Sequence, residues 1–385
     1  MREVYLDNSS TTRPFDQVAE RMSKVMTEQY GNPSSIHKMG IDAEKIMNEA
    51  KETLAAALGV KPGEVLFTSG GTESNNLAIK GIATKYRKRG SHIVTSAIEH
   101  RSVLNTMQDL EEDGFEVTYL PVNAKGQINP ADLEEVISKD TILVSIMHAN
   151  NETGVVQPLE KINDILIRQP IKPVFHVDAV QSFGKMPLVL FNTDIDLLTI
   201  SAHKVHGPKG VGALFIREGI NLEPLFLGGE KEKGRRSGTE NVPGVAGFAE
   251  AIGLLFNKKE EEVHGIKGLR DNFVTQLQKK IPGIMINTPL EESVPHIVNI
   301  TFPDIQAEVL LRNLESEDIY VSTSSACNSR KKRASHVLKA MGLTKDDVEG
   351  AIRFSLSVMN TQEDMEYCLE KIVPAYERLK KMVKF

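Results

Sequence analysis

The chain has no tryptophan, only two cysteines among its 385 residues, and no excess of positive charge. Each absence excludes something. Two cysteines, Cys327 and Cys368, cannot build a disulfide framework, and the ordinary setting for such a chain is a reducing one. With 46 Lys and Arg against 52 Asp and Glu, the net charge of −6 argues against a general nucleic-acid binder. No stretch approaches the ~18 consecutive apolar residues that span a bilayer. Met1–Asn8 lacks the apolar segment of a secretion signal. A cytoplasmic protein with no membrane and no direct nucleic-acid partner is expected. No internal repeat is visible, and Lys258-Lys259-Glu260-Glu261-Glu262 reads as a solvated helix face. His203 and His206 have no cysteine or acid nearby in sequence to complete a ligand set, so no metal is expected.

What is present is a long alternation of strands and helices. Val65–Thr68, His92–Ala97, Val117–Leu120, Ile142–Met147, Val174–Val177, Leu197–Ile200 and Val211–Ile216 read as strands, with helices at Ser74–Arg87 and Ser102–Glu112. Most of these strands are apolar throughout rather than alternating. That pattern predicts an α/β fold with a mostly parallel sheet buried on both faces. From Gly244 to Ile281 the spacing is helical, suggesting a connecting helix. Beyond it, His296–Phe302 and Ile352–Ser357 as strands, with helices at Ala307–Leu314 and Gln362–Met382, predict a second, α+β region.

In an open α/β sheet, ligands bind beyond the carboxyl ends of the strands. The residues just after each expected strand are therefore the informative ones. Ser69-Gly70-Gly71-Thr72-Glu73 leads from strand into helix, where backbone N–H groups can approach a phosphate; an ordinary turn has the same look. Glu99-His100 follows the next strand, and a lone histidine is more often packed than catalytic. Asn150-Asn151-Glu152-Thr153-Gly154 is either a turn or a polar site. Asp178 ends a buried strand and needs a partner for its carboxylate, an arginine or a protonated ring nitrogen. Ser201-Ala202-His203-Lys204 places a lysine where burial would make it an amine nucleophile, although a single such lysine is more often a surface residue. Together they meet the needs of pyridoxal phosphate: a phosphate cradle, an acid for the ring nitrogen and a Schiff-base lysine.

At this point the sequence resembles the NifS/IscS group of cysteine desulfurases, class I branch. The resemblance rests on Tyr5-Leu6-Asp7-Asn8, Gly31-Asn32-Pro33-Ser34-Ser35, Thr68 to Asn76, Glu99-His100, Asn150 to Gly154 and Asp178-Ala179-Val180-Gln181. It continues through Ser201 to Lys204, Arg236-Ser237-Gly238-Thr239-Glu240-Asn241, Ser325-Ala326-Cys327 and Ile352-Arg353-Phe354-Ser355, in order over nearly the whole chain. It implies fold type I of the pyridoxal-phosphate enzymes, with a large, mostly parallel seven-stranded sheet domain over 15–255. Residues 1–14 and 256–385 would form a smaller α+β domain. It also implies a homodimer. Lys204 would carry the cofactor, with Asp178 on the pyridine nitrogen, Gln181 on the phenolic oxygen and His100 over the ring. Gly71, Thr72, Ser201 and His203 would hold the phosphate, and Thr239 would reach in from the partner subunit. Asn151 and Arg353 would bind the substrate carboxylate, the guanidinium fork suiting two parallel hydrogen bonds.

The two cysteines separate on physical grounds. Cys368 sits with Met365, Leu369 and Ile372 on the apolar side of the last helix and reads as a core residue. Cys327 lies in a polar segment without apolar period, where Arg330, Lys331, Lys332 and Arg333 favour the thiolate. The resemblance makes it the nucleophile that takes sulfur from L-cysteine as a persulfide, leaving alanine. Lys204 is then the expected base and His100 a further proton carrier. The acceptor would be an iron–sulfur scaffold or a tRNA-thiolating enzyme. A selenocysteine lyase shares nearly every one of these residues. An aminotransferase would not need Cys327, and a sulfur-carrier or scaffold subunit would not need turnover.

Overall fold

In a computed structural model of the chain, the described residues are 2–188, 190, 193–229, 231–257, 260–323 and 334–383. The chain opens with a two-residue strand, β1 (Val4–Tyr5). There follow β2 (Val65–Thr68), β3 (His92–Ser96), β4 (Glu116–Leu120), β5 (Thr141–Met147), β6 (Val174–Asp178), β7 (Leu197–Ser201) and β8 (Gly212–Ile216). Among the described residues these seven form one sheet in the order β2-β8-β7-β6-β5-β3-β4. All pairings from β7 through β4 are parallel, whereas β8 runs antiparallel to both of its neighbours, β7 and β2.

The apolar strands explain themselves in this sheet. Val94, Val144, Phe175, Leu198 and Phe215 enter a core with Leu54 and Leu58 of helix Lys38–Leu58 and Phe248 and Ile252 of helix Val242–Phe256. Their chain neighbours Ile93, Leu143, Val174, Leu197 and Leu214 point the other way. They pack on Leu77 and Ile82 of helix Gly71–Tyr86 and on Met107 and Leu110 of helix Arg101–Glu112. The period of two puts alternate residues on opposite faces, and helices cover both.

A second core lies beyond the sheet, around β9 (Met285–Ile286), β10 (Ile297–Thr301), β11 (Ile319–Tyr320), β12 (Ser322–Thr323) and β13 (Ala351–Ser355). The antiparallel order β12-β13-β10-β9 carries Val298, Ile300, Ile352 and Phe354 against Phe273, Leu310, Cys368 and Ile372. Val4 and Leu6 join this core, β1 pairing in parallel with β11. The helical stretch expected from Gly244 to Ile281 is two helices, Val242–Phe256 and Glu260–Lys280. The first buries its apolar side in the sheet core and the second buries Phe273, Val274 and Leu277 in the other, which one straight helix could not do. Among the described residues, no helix is long and apolar enough to cross a membrane.

Candidate active site

The sheet brings the expected residues to one edge because parallel strands all end on the same side. After β2, the chain turns at Gly70 and starts the helix Gly71–Tyr86. Gly70 has φ +147°, which side chains rarely adopt, and a Cβ on Gly212 would stand 2.7 Å from the Gly70 Cα. Beside the turn, the buried Ser201 hydroxyl at the end of β7 has no hydrogen-bond partner within the protein. A Cβ placed on Gly71 would stand 3.0 Å from Val180 and 3.8 Å from the Ser201 Cβ. Bare glycine backbone, a helix N-terminus and an orphaned buried hydroxyl are what a phosphate needs.

Asp178 ends β6 and is buried. Its Oδ1 accepts the Val180 N–H at 3.0 Å, and its Oδ2 accepts from Asn75 Nδ2 at 2.7 Å. The same Asn75 amide donates to Ser102 Oγ at 2.8 Å, and Ser102 Oγ lies 2.8 Å from His100 Nδ1. The Ser102 backbone N–H also donates to that nitrogen, at 3.2 Å. With donors directed at Nδ1, the His100 proton belongs on Nε2. Burial holds the His100 pKa below its ordinary value, with Asp178 opposing and Lys204 assisting. Neither Asn75 nor Ser102 was singled out by the sequence, although Asn75 lies in the Thr68–Asn76 run and Ser102 begins an expected helix.

Lys204 sits on the short turn Ala202–Lys204 after β7. Its Nζ donates to the carbonyls of Ser9 and of Ser10, the latter at 2.9 Å. Gln181 Nε2 also donates to the Ser9 carbonyl, at 2.9 Å, while the buried Gln181 Oε1 has no partner. His203 Nδ1 lies 3.2 Å from Thr11 Oγ1, and burial with nearby Lys204 pulls the His203 pKa down to about 4. His206 is turned away, its Nδ1 2.8 Å from the Arg13 carbonyl and its ring stacked on Phe15. Among the described residues, no three His, Cys, Asp or Glu side chains gather as a metal site.

The third wall comes from distant parts of the chain. Arg353, on β13, donates from Nη1 to the Asn151 carbonyl at 2.7 Å. Its Nη2 donates to Asp7 Oδ1 and to Ser10 Oγ, each at 2.7 Å, and its buried Nε has no partner. The Asn8 N–H donates to the Ser355 carbonyl at 3.1 Å, which fixes the N-terminal segment along β13. Asp7 and Ser10 thereby join the site, roles that no local pattern announces.

Two of the expected residues, Thr72 and Thr239, are exposed. Thr72 is exposed at the helix start, its carbonyl accepting from Asn76 Nδ2 at 2.9 Å. Thr239 is exposed and lines a small cavity with Ser69, Arg236 and Asn241 rather than with Lys204. Arg236 ties that segment to the glycine turn through Glu73 at 3.0 Å. Cys327 and its basic neighbours Arg330–Arg333 lie outside the described residues, as do Lys258 and Lys259. Cys368 is fully buried and burial pushes its thiol up to about 12, the behaviour of a core cysteine.

Comparison with known proteins gives the chain's family and fold. Residues 4–368 match the aminotransferase class-V family. A protein named cysteine desulfurase IscS from Methanosarcina thermophila is 46% identical over 381 residues, 99% of this chain and 94% of the relative. The structure of a NifS-like protein superposes with a TM-score of 0.93 at 43% identity, covering 98% of this chain and all (100%) of the other. The structure of SspA in complex with cysteine gives 0.82 at 35% identity, over 93% of this chain and 100% of the other. With its glycine turn, buried aspartate and strand-end lysine in that fold, the chain belongs to the class-V aminotransferase family and, within it, to the NifS/IscS group of cysteine desulfurases.

Proposed function

We propose that Lys204 binds pyridoxal phosphate and that Cys327 takes the sulfur of L-cysteine as a persulfide, with alanine released. The observation that carries this is the convergence of Lys204, the buried Asp178 and the orphaned Ser201 hydroxyl at one sheet edge. Gly71, Thr72, Ser201 and His203 are the residues to hold the phosphate. Asp178 would face the ring nitrogen, the Gln181 Nε2 amide would donate to the phenolic oxygen and His100 would lie over the ring. When bound, the cofactor supplies an electron sink for bond breaking at the substrate Cα.

The chain's own residues do the rest. Arg353, its plane fixed by Asp7 and the Asn151 carbonyl, binds the substrate carboxylate with Asn151. The Lys204 amine removes the Cα proton, and neutral His100, held with its proton on Nε2, serves later proton transfers. The Cys327 thiolate attacks the substrate sulfur. A sulfur–sulfur bond forms, the substrate Cβ–S bond breaks, and the carbon is protonated to give alanine. The persulfide then passes to an acceptor protein, an iron–sulfur scaffold or a tRNA-thiolating enzyme.

A homodimer with Thr239 facing the partner's site completes the reading. It is supported by exposed apolar side chains at Tyr30, Ile36 and Ile41 and at Phe226 and Leu227. Tyr30 and Ile36 stand beside Pro33-Ser34, which share a cavity with Arg235 and Glu240, and the Arg236 guanidinium lies over the Phe226 ring. Purified wild type and Cys327→Ala should both show the visible absorbance of bound cofactor, and only wild type should convert L-cysteine to alanine. Wild-type alanine yield from the variant would remove Cys327 from the reaction, and a colourless protein that takes up no cofactor would remove Lys204.

A further inference from the structure

A small cavity of about 20 Å³ is lined by Lys185, Lys204, His296, Thr12 and Ser357, together with apolar side chains that include Leu255 and Ile266. Leu255 belongs to the core of the large sheet and Ile266 to the second core, so the cavity lies where the two meet. No aspartate or glutamate lines it. Lys185 comes from the turn after β6, where Gly184 has φ +70° and a Cβ would stand 2.7 Å from Leu255 Cδ2. Part of the Lys185 stem reaches the surface, but its Nζ is enclosed and has no hydrogen-bond partner within the protein. His296 stands just before β10 and is 1% exposed, and neither of its ring nitrogens has a partner. The two hydroxyls are committed elsewhere. Thr12 Oγ1 donates to the His203 carbonyl at 3.0 Å, and Ser357 Oγ accepts the Met359 N–H at 3.3 Å.

Charge around this cavity has one sign. Burial holds His296 well below its ordinary pKa, and the charges of Lys185, Arg270, Arg353 and Lys204 add to it. The ring is therefore neutral, with one N–H to give. Arg270 is answered by Asp271 at 2.8 Å and Arg353 by Asp7 at 2.7 Å, while Lys204 donates to the Ser9 and Ser10 carbonyls. The Lys185 amine has no such answer. An enclosed ammonium without a counter-charge is costly, and burial with Lys204 nearby pulls the Lys185 pKa down to about 7. Water would satisfy the hydrogen bonds but not the charge. We propose that the cavity binds one halide-sized monovalent anion, chloride in ordinary salt, between the Lys185 ammonium and the His296 N–H. Room for a single particle on the order of a water molecule excludes sulfate and phosphate. The ion ties the turn after β6 to the lead into β10, so it stabilises the junction of the two cores and takes no part in the chemistry at Lys204.

The test uses the full chain with pyridoxal phosphate bound, as wild type, Lys185→Met and His296→Leu. Crystals soaked in sodium bromide are measured at the bromine absorption edge. Wild type should show a bromine peak beside Lys185 Nζ and His296, and Lys185→Met should show none. In solution, exchanging sodium gluconate for sodium bromide at equal ionic strength should raise the wild-type melting temperature by about 2 °C or more. Either variant should gain less than about half of that shift. Replacing an unpaired buried charge by an apolar side chain is well tolerated, so Lys185→Met is expected to fold. No bromine peak in wild type, water alone in the cavity, or an equal bromide shift in Lys185→Met would overturn the proposal. If neither variant folds, the wild-type bromine map decides. These readouts involve no turnover, so their outcome is independent of the roles proposed for Cys327 and Lys204.

Discussion

On the side of Lys204 and Asp178, the polar groups stand at the ends of neighbouring strands of one sheet. On the side of Arg353, they come from the first ten residues, the middle of the chain and the second sheet. Arg353 and Asp7 are 346 residues apart in sequence, yet lie at 2.7 Å. The first side keeps polar atoms without partners, Ser201 Oγ and Gln181 Oε1. On the second side the two terminal guanidinium nitrogens are engaged, though Arg353 Nε is not. Buried polar groups are rarely left unpaired without reason. The strand-end wall leaves hydrogen-bonding groups open to a ligand, and the Arg353 wall holds one side chain in a fixed plane.

The sharpest way to break that contrast is Asp178→Asn. If the carboxylate answers a ring nitrogen, losing its charge should lower turnover of L-cysteine by at least about 100-fold while the protein stays folded. Turnover and a melting curve measured together decide it, and an activity near wild type would make Asp178 structural. On the other wall, Arg353→Lys removes the planar fork and the donors to Asp7 and Asn151. A loss of about 2 kcal/mol, roughly 30-fold in kcat/KM for L-cysteine, is expected. If the wall is a scaffold, Asp7→Asn should raise KM in the same direction by less.

A smaller effect should come from Ser102→Ala, which removes a donor to His100 Nδ1 and an acceptor for Asn75. The backbone N–H of Ser102 remains. A loss of about 1 kcal/mol, some fivefold in rate, with a moved pH profile is expected; a pH profile identical to wild type would separate His100 from proton transfer. An effect on stability rather than on activity concerns Glu99, whose pKa burial lifts from 4.5 to about 8. The native form keeps its proton where the unfolded chain has lost it. Its contribution to stability is therefore present below about 4.5 and lost as pH rises through about 8. Glu99→Gln should flatten that slope in denaturation curves taken across this window; an unchanged slope would assign the pH dependence to another group.

Much of the strand-end wall could be read directly. The strands are apolar enough to be recognised, and in a parallel sheet each strand's last residues fall at one edge, so Asp178 and Ser201 to Lys204 meet without further information. The buried Cys368 was equally legible, because helical spacing placed it among apolar neighbours. The Arg353 wall could not be read this way. Asp7, Ser10 and Glu152 show no local period; the first two meet Arg353 only because the N-terminal segment runs beside β13, and Glu152 meets Ser335 only through tertiary packing. The break in the Gly244–Ile281 stretch had the same cause, since the pattern tells that a face is apolar and not which core it enters.

The order of amino acids by itself determined the α/β layering, the edge at which the site forms and the cysteine that stays buried. These follow from local spacing and from the hydrophobic effect acting on it. Tertiary structure alone decided which polar groups are satisfied and which are left open. That is settled by contacts between residues a hundred or more positions apart: the Asp7–Arg353 pair, the Asn75–Asp178 link toward His100, and the Ser335–Glu152 contact next to Asn151. A hydrogen bond needs both partners within about 3 Å, and no sequence period carries that distance.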